Sequence, residues 1–172
     1  MTSTPNRRSI LQGLGAAGAV LTVGVAPATA RGRRGASAES TIFDIVDASD
    51  QFTILELALE ETGLDTILDR TDDQYTVFAP TDAAFAALLE DLDITAADLL
   101  ADPDLPTILL YHVTTGRRIA ASVVRAPRIE MVNGDIVTVD GATLNDGQAT
   151  ITTTDVEAAN GIVHVIDGVL LP

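Results

Sequence analysis

The side chains able to do acid–base or ligand chemistry in these 172 residues are few in kind. There are two histidines, two tyrosines and 25 carboxylates, with no cysteine and no lysine. A thiolate nucleophile, a Schiff-base amine and a lysine phosphate clamp are therefore excluded. The four serines beyond residue 30 are Ser37, Ser40, Ser49 and Ser122, and none lies in a G-x-S-x-G turn that would present a nucleophile. Carboxylate pairs can do general acid–base work, but 25 candidates single out no pair. The composition points away from an enzyme.

The histidines carry two readings each. His164 shares a strand face with Ile162 and Ile166. Such a setting predicts a buried imidazole hydrogen-bonded to a backbone carbonyl, with ligand binding or proton handling as the alternative. His112 follows Tyr111 at the end of an apolar run, and the pair reads either as a polar bridge between layers or as a recognition element. A centre built from His112, His164 and Asp167 would be thin for zinc, which takes three or four converging ligands. Asp167 also falls on the opposite face of an extended strand from His164. Neither a metal nor a cofactor is expected.

The elements that position these residues change period halfway along the chain. Ile42, Phe43, Ile45 and Val46, then Phe52, Leu55, Ala58 and Leu59, then Leu64, Ile67 and Leu68 recur at helical spacing, with Gly63 as punctuation. Tyr75 to Ala79 is a short β run stopped by Pro80. Thr81 is a plausible N-cap, Asp82 suits the positive end of a helix, and Phe85, Leu88 and Leu89 form one face of that helix. Further helical turns are expected over Thr95–Ala101 and Pro106–Leu110. Beyond them, Asn133-Gly134, Asp140-Gly141 and Asp146-Gly147 are tight-turn dipeptides separating short β runs, the signature of an antiparallel meander. The last run, Gly161 to Asp167, is apolar on both faces and predicts a central, buried strand. Helices first and strands second predict an α+β domain.

Charge divides the chain. From Glu39 onward five arginines face all 25 carboxylates, a net of −20. That surface repels nucleic acid and anionic lipid. It reads as solvation in strong brine, a halophilic trait, or else as an acidic site for divalent cations, for which no D-x-D-x-D-G loop is present. Before Glu39, Asn6 to Gln12 resembles a twin-arginine export signal, with Arg7 and Arg8 adjacent and Ile10 and Leu11 following. A Gly- and Ala-rich apolar stretch leads to Ala28-Thr29-Ala30, a small-x-small pattern that predicts cleavage after Ala30. The expected organisation is a signal over residues 1–30, a disordered linker over 31–40 and a domain over 41–172. No stable membrane span is expected after processing.

Three segments together resemble the fasciclin domain family. YTVFAPTDAAF, from Tyr75 to Phe85, is similar to its first signature. LLYHV, Leu109 to Val113, is similar to its central Tyr-His signature, and NGIVHVIDGVLLP, Asn160 to Pro172, to its closing one. Their order and spacing cover essentially the whole chain beyond the linker. The resemblance implies a β-wedge with helices packed along it, secreted or held at the cell surface, mediating adhesion and matrix contacts. It implies partner binding at Tyr111 and His112, to a cell-surface or matrix protein or glycan. It implies structural roles for Thr81, Asp82, Asn160, Gly161, His164 and Asp167. The rival expectation is an extracytoplasmic carrier of an apolar pigment or lipid, held between helices and wedge. For the binding reading, Tyr111 and an exposed Arg117-Arg118 pair are the expected anchors.

Overall fold

Thr41 opens the first helix because its hydroxyl accepts the Asp44 N–H while the Asp44 carboxylate accepts the Thr41 N–H, a complete capping box. Residues 40–172 are described by a computed structural model. The twin-arginine pair, the cleavage point after Ala30 and the linker up to residue 39 lie outside the described residues. Helices α1 (Ile42–Asp47), α2 (Thr53–Thr62) and α3 (Asp65–Leu68) come first. Gly63 ends α2 in the left-handed region, φ +70°, with its N–H and that of Leu64 turned back onto the Glu60 and Leu59 carbonyls.

Strand β1 (Tyr75–Pro80) leads through Thr81 into α4 (Asp82–Leu92), followed by α5 (Ala96–Leu100) and α6 (Leu105–Leu110). The strand includes Pro80 rather than stopping before it. Then come β2 (Val113–Thr115), α7 (Ala120–Val123), β3 (Arg128–Glu130), β4 (Ile136–Asp140), β5 (Thr143–Leu144), β6 (Ala149–Ala158) and β7 (Gly161–Ile166). The seven strands lie in the order β2-β1-β7-β6-β5-β4-β3. β1 and β7 pair in parallel and the other neighbours are antiparallel, so the domain is α+β with a mixed sheet. The meander β4-β5-β6 and the central β7 agree with the sequence pattern. β6 keeps pairing with β7 as far as Ala158, through bulges near Thr153 and Asp155.

The two outermost strands meet. The Thr114 hydroxyl donates to the Glu130 carbonyl at 2.7 Å, and the Val132 N–H donates to the Val113 carbonyl at 2.8 Å. The sheet therefore curls until β2 and β3 satisfy part of each other's open edge. Two apolar clusters fill its two faces. Helices α1, α2, α4 and α6 pack Ile42, Leu55, Phe85 and Leu109 against Val77 and Val163. Phe78, Val123, Ile129, Val137, Ile166 and Leu170 form the other cluster. Neighbouring Val77 and Phe78 enter opposite clusters, which is why β1, like β7, is apolar on both faces.

Candidate functional site

His112 sits where the three signature segments converge. Its own carbonyl accepts the Phe78 N–H of β1 at 2.9 Å. Its Nε2 accepts the Leu170 N–H of the C-terminal segment at 2.9 Å, and its Nδ1 is 2.8 Å from the Ile108 carbonyl of α6. Because Leu170 can only donate, Nε2 is the acceptor, and Nδ1 carries the proton given to Ile108. The ring is 2% exposed and neutral, and burial holds its pKa down at about 4 against an ordinary 6.5. His112 is a fixed peg, its ring joining helix α6 to the C-terminal segment and its carbonyl holding strand β1.

Its protonation has a definite sign. Between pH 6.5 and about 4 the unfolded chain binds a proton at His112 that the folded chain refuses, so stability falls as pH falls through that window. The difference corresponds to about 3 kcal/mol lost by pH 4. In an NMR titration the His112 ring resonances should stay flat from pH 8 to pH 5. A midpoint near the unperturbed value would contradict the peg.

Tyr111 points the other way, into the second cluster, and is 3% exposed. Its hydroxyl lies 3.3 Å from both the Ile136 carbonyl and Asn145 Oδ1. Burial raises its pKa first, and the nearby Asp135 raises it further. Asn145 in turn donates to Gln148 Oε1 at 2.8 Å and to the Leu171 carbonyl at 3.1 Å. Tyr111 and His112 were expected to touch a partner. Both instead lie inside the fold with their polar atoms engaged, so direct contact is not open to either side chain.

His164 is likewise buried. Its Nε2 is 2.8 Å from the Arg118 carbonyl and its Nδ1 accepts the Asp155 N–H at 3.3 Å, while its ring stacks on Phe78 with centroids 5.6 Å apart. This is the carbonyl-bonded core imidazole of the first reading. Asp155 stands in the β6 bulge at φ +57°, and its carboxylate accepts the Ala120 N–H that begins α7 at 2.7 Å. No sequence signal marks it, since a bulge depends on what the neighbouring strand does. Asp167 accepts the Thr150 N–H at 2.6 Å and clamps the start of β6 to the end of β7. It is remote in role from both histidines. Among the described residues no three His, Cys, Asp or Glu side chains gather as metal ligands.

Thr81 caps α4 by accepting the Ala84 N–H at 3.3 Å. Asp82 does more than its position suggests. Its two carboxylate oxygens accept the Thr53 and Ile54 N–H groups at 3.2 and 2.9 Å, capping α2, whose own N-cap Phe52 cannot. Asn160, fully buried, accepts the Ile42 N–H at 2.8 Å and donates to the carbonyls of Arg70, at 2.9 Å, and Leu68. Gly161 presses directly against the Tyr75 carbonyl.

What this framework leaves outside is a strip from Arg117 to Arg128. Four of the five arginines beyond Glu39 lie there, and no carboxylate occurs between Asp104 and Glu130. Arg117, Arg125 and Arg128 are exposed, as are Ile119 and Val124. Arg117 donates to the Ala158 carbonyl at 3.1 Å and toward Gln74 Oε1 at 3.5 Å, both neutral oxygens. Arg118, expected to be exposed, is half-buried: its carbonyl is held by His164, its N–H by Thr76 Oγ1 at 2.8 Å, and its Nε is buried without a partner. A shallow hollow of about 360 Å³, lined by Ile119, Ala121, Ser122, Arg125 and Ala126, opens in the strip. A second, about 410 Å³, is lined by Thr138, Val139, Asp140, Thr143, Asp146 and Gly147. The gap in carboxylates was legible in the sequence, but its meeting with exposed apolar residues was not.

A family profile described as the fasciclin domain matches residues 50–172. An uncharacterised protein of Synechocystis sp. is 35% identical over 134 residues, covering 76% of this chain and 96% of that protein. The transforming growth factor-beta-induced protein ig-h3 of Oryctolagus cuniculus is 32% identical over 138 residues, covering 77% of this chain but only 20% of that protein. A solved FAS1 domain pair, from the insect cell adhesion molecule fasciclin I, superposes with a TM-score of 0.60 at 18% identity. That match covers 77% of this chain and 51% of that one, and it shows the shared fold. Among the described residues no helix is long and apolar enough to cross a membrane. With the profile match spanning the Tyr-His junction and both flanking signatures, the chain belongs to the fasciclin domain family.

Proposed function

We propose that this chain is a non-catalytic adhesion or protein-binding module that works outside the cytoplasmic membrane. In this reading Arg7 and Arg8 direct folded export, the chain is cut after Ala30, and the domain acts in the extracellular space or at the cell surface. Its partner is a protein or glycan of that surface or of the surrounding matrix. The observation that carries the reading is the strip: four arginines in a stretch of sequence without a carboxylate, interleaved with exposed Ile119 and Val124, on a body otherwise dense in negative charge. Arginine beside apolar surface is the composition of binding hot spots. Tyr111 and His112 serve that surface from beneath, by fixing the end of α6 from which β2 and the strip depart. Their part is support rather than contact.

The test immobilises the chain from residue 31 and counts adherent cells of the producing organism at their growth salinity. An unrelated acidic protein and the Arg125→Ser, Arg128→Ser variant run beside it. Adherence above the acidic control, falling about tenfold or more in the variant, is the expected result for hot-spot arginines. Adherence equal to the control removes the reading. Coloured or lipid material co-purifying with the exported chain would favour an apolar carrier instead.

A further inference from the structure

The strip has a counterpart on the same chain. Helix α4 ends in Glu90-Asp91-Leu92-Asp93, all four residues exposed, with Leu92 at 50%. The last turn holds no basic residue, so these carboxylates crowd the negative pole of the helix instead of being offset there. Asp93 closes the helix in the left-handed region at φ +55°, a conformation that turns the chain sharply and leaves Leu92 standing out. An apolar knob ringed by unneutralised carboxylates therefore projects from the helical side, where α4 packs in the first core cluster. A hollow lined by Ile119, Ala121, Ser122, Arg125 and Ala126 opens on the other side, where Val123, Ala126 and Ile129 belong to the second cluster.

We propose that the α4 knob of one copy docks in the arginine strip of another, so that the domain associates head to tail with itself. Leu92 enters the hollow between Ile119, Ala121 and Ala126, while Glu90, Asp91 and Asp93 meet Arg125, which lines it, and the exposed Arg128. The two surfaces are different patches, so the contact is heterologous and does not close after two copies. It gives rings or open chains. Inside such a chain every strip is covered by a knob and one strip stays free at an end, so self-association and partner binding compete for the same surface. The net charge of −20 on each body opposes approach over long distances, so the association belongs to high salt. Near 1 M the Debye length is about 3 Å, which removes that repulsion and leaves the apolar contact and the touching ion pairs. The inference rests on the adhesion reading for its purpose but not for its test.

Sedimentation velocity in about 1 M salt decides it, using the chain from residue 31, which keeps every described residue. The unaltered chain should show a mass that rises with concentration past that of a dimer. Leu92→Ser should be monomeric, and so should Arg125→Ser, Arg128→Ser; all three positions are exposed, so both variants keep the fold. An equimolar mixture of the two variants should form a heterodimer and nothing larger, since each supplies the one surface the other lacks. A strictly monomeric unaltered chain, a mass that stops at two, association that survives in both variants, or a mixture that stays monomeric would each overturn the proposal. A monomeric chain that still adheres to cells sinks self-association alone. Failed adherence sinks the adhesion reading whatever the mass.

Discussion

Replacing Gly161 with alanine should cost about 4 kcal/mol or more, a large share of the roughly 5–15 kcal/mol that holds an ordinary domain folded. The added Cβ would lie 2.0 Å from the Tyr75 carbonyl oxygen and 2.8 Å from Ile42 Cδ1. Tyr75 cannot retreat. It faces Gly161 in the parallel β1-β7 register, and its N–H is bonded to the Asn160 carbonyl at 3.0 Å. Separating the strands at that point would break the parallel pair on which both core clusters lie. Here glycine is required for space, where one backbone crosses close to another, and not for an unusual φ. Urea denaturation measures the loss. A cost under about 1 kcal/mol would mean that β1 and β7 can part at their start without consequence.

Asn160→Ala should cost about 3–5 kcal/mol, because each buried group left without a partner forfeits about 1–3 kcal/mol. One side chain satisfies the Ile42 N–H, at the first turn of α1, and the carbonyls of Leu68 and Arg70 at the end of α3. Alanine leaves all three unpaired and opens a polar void between the first helices and the β6-β7 turn. The same denaturation series gives the value, and hydrogen exchange should show α1 opening before the sheet. Unchanged protection at Ile42 would contradict this account. The two substitutions are adjacent and share the Tyr75 contact, so their costs should not add.

The sequence pattern carried the helical first half, the meander and the central position of β7, because each rests on a local period or a turn dipeptide. It missed β2, β3 and α7, elements of three or four residues with no room for a period. It placed Asp82 at its own helix end, as the residue type suggests, but could not show the carboxylate reaching 28 residues back to cap α2. Tyr111 and His112 illustrate the same boundary more sharply. Their types fit either a bridge or a contact, and only the positions of Ile108, Leu170, Ile136 and Asn145 decide that both are engaged inside. The arginine strip lay open to reading in the charge order, yet the hollow beside it depends on how α7 turns into β3. Elements followed from local pattern; the junctions between them did not.

The direct measurement is a binding isotherm of the labelled chain, from residue 31, on intact cells of the producing organism at growth salinity. An adhesion module predicts saturable uptake that unlabelled chain displaces and that the Arg125→Ser, Arg128→Ser variant displaces poorly. Uptake that rises linearly without saturating, or that an unrelated protein of equal charge displaces as well, would contradict it.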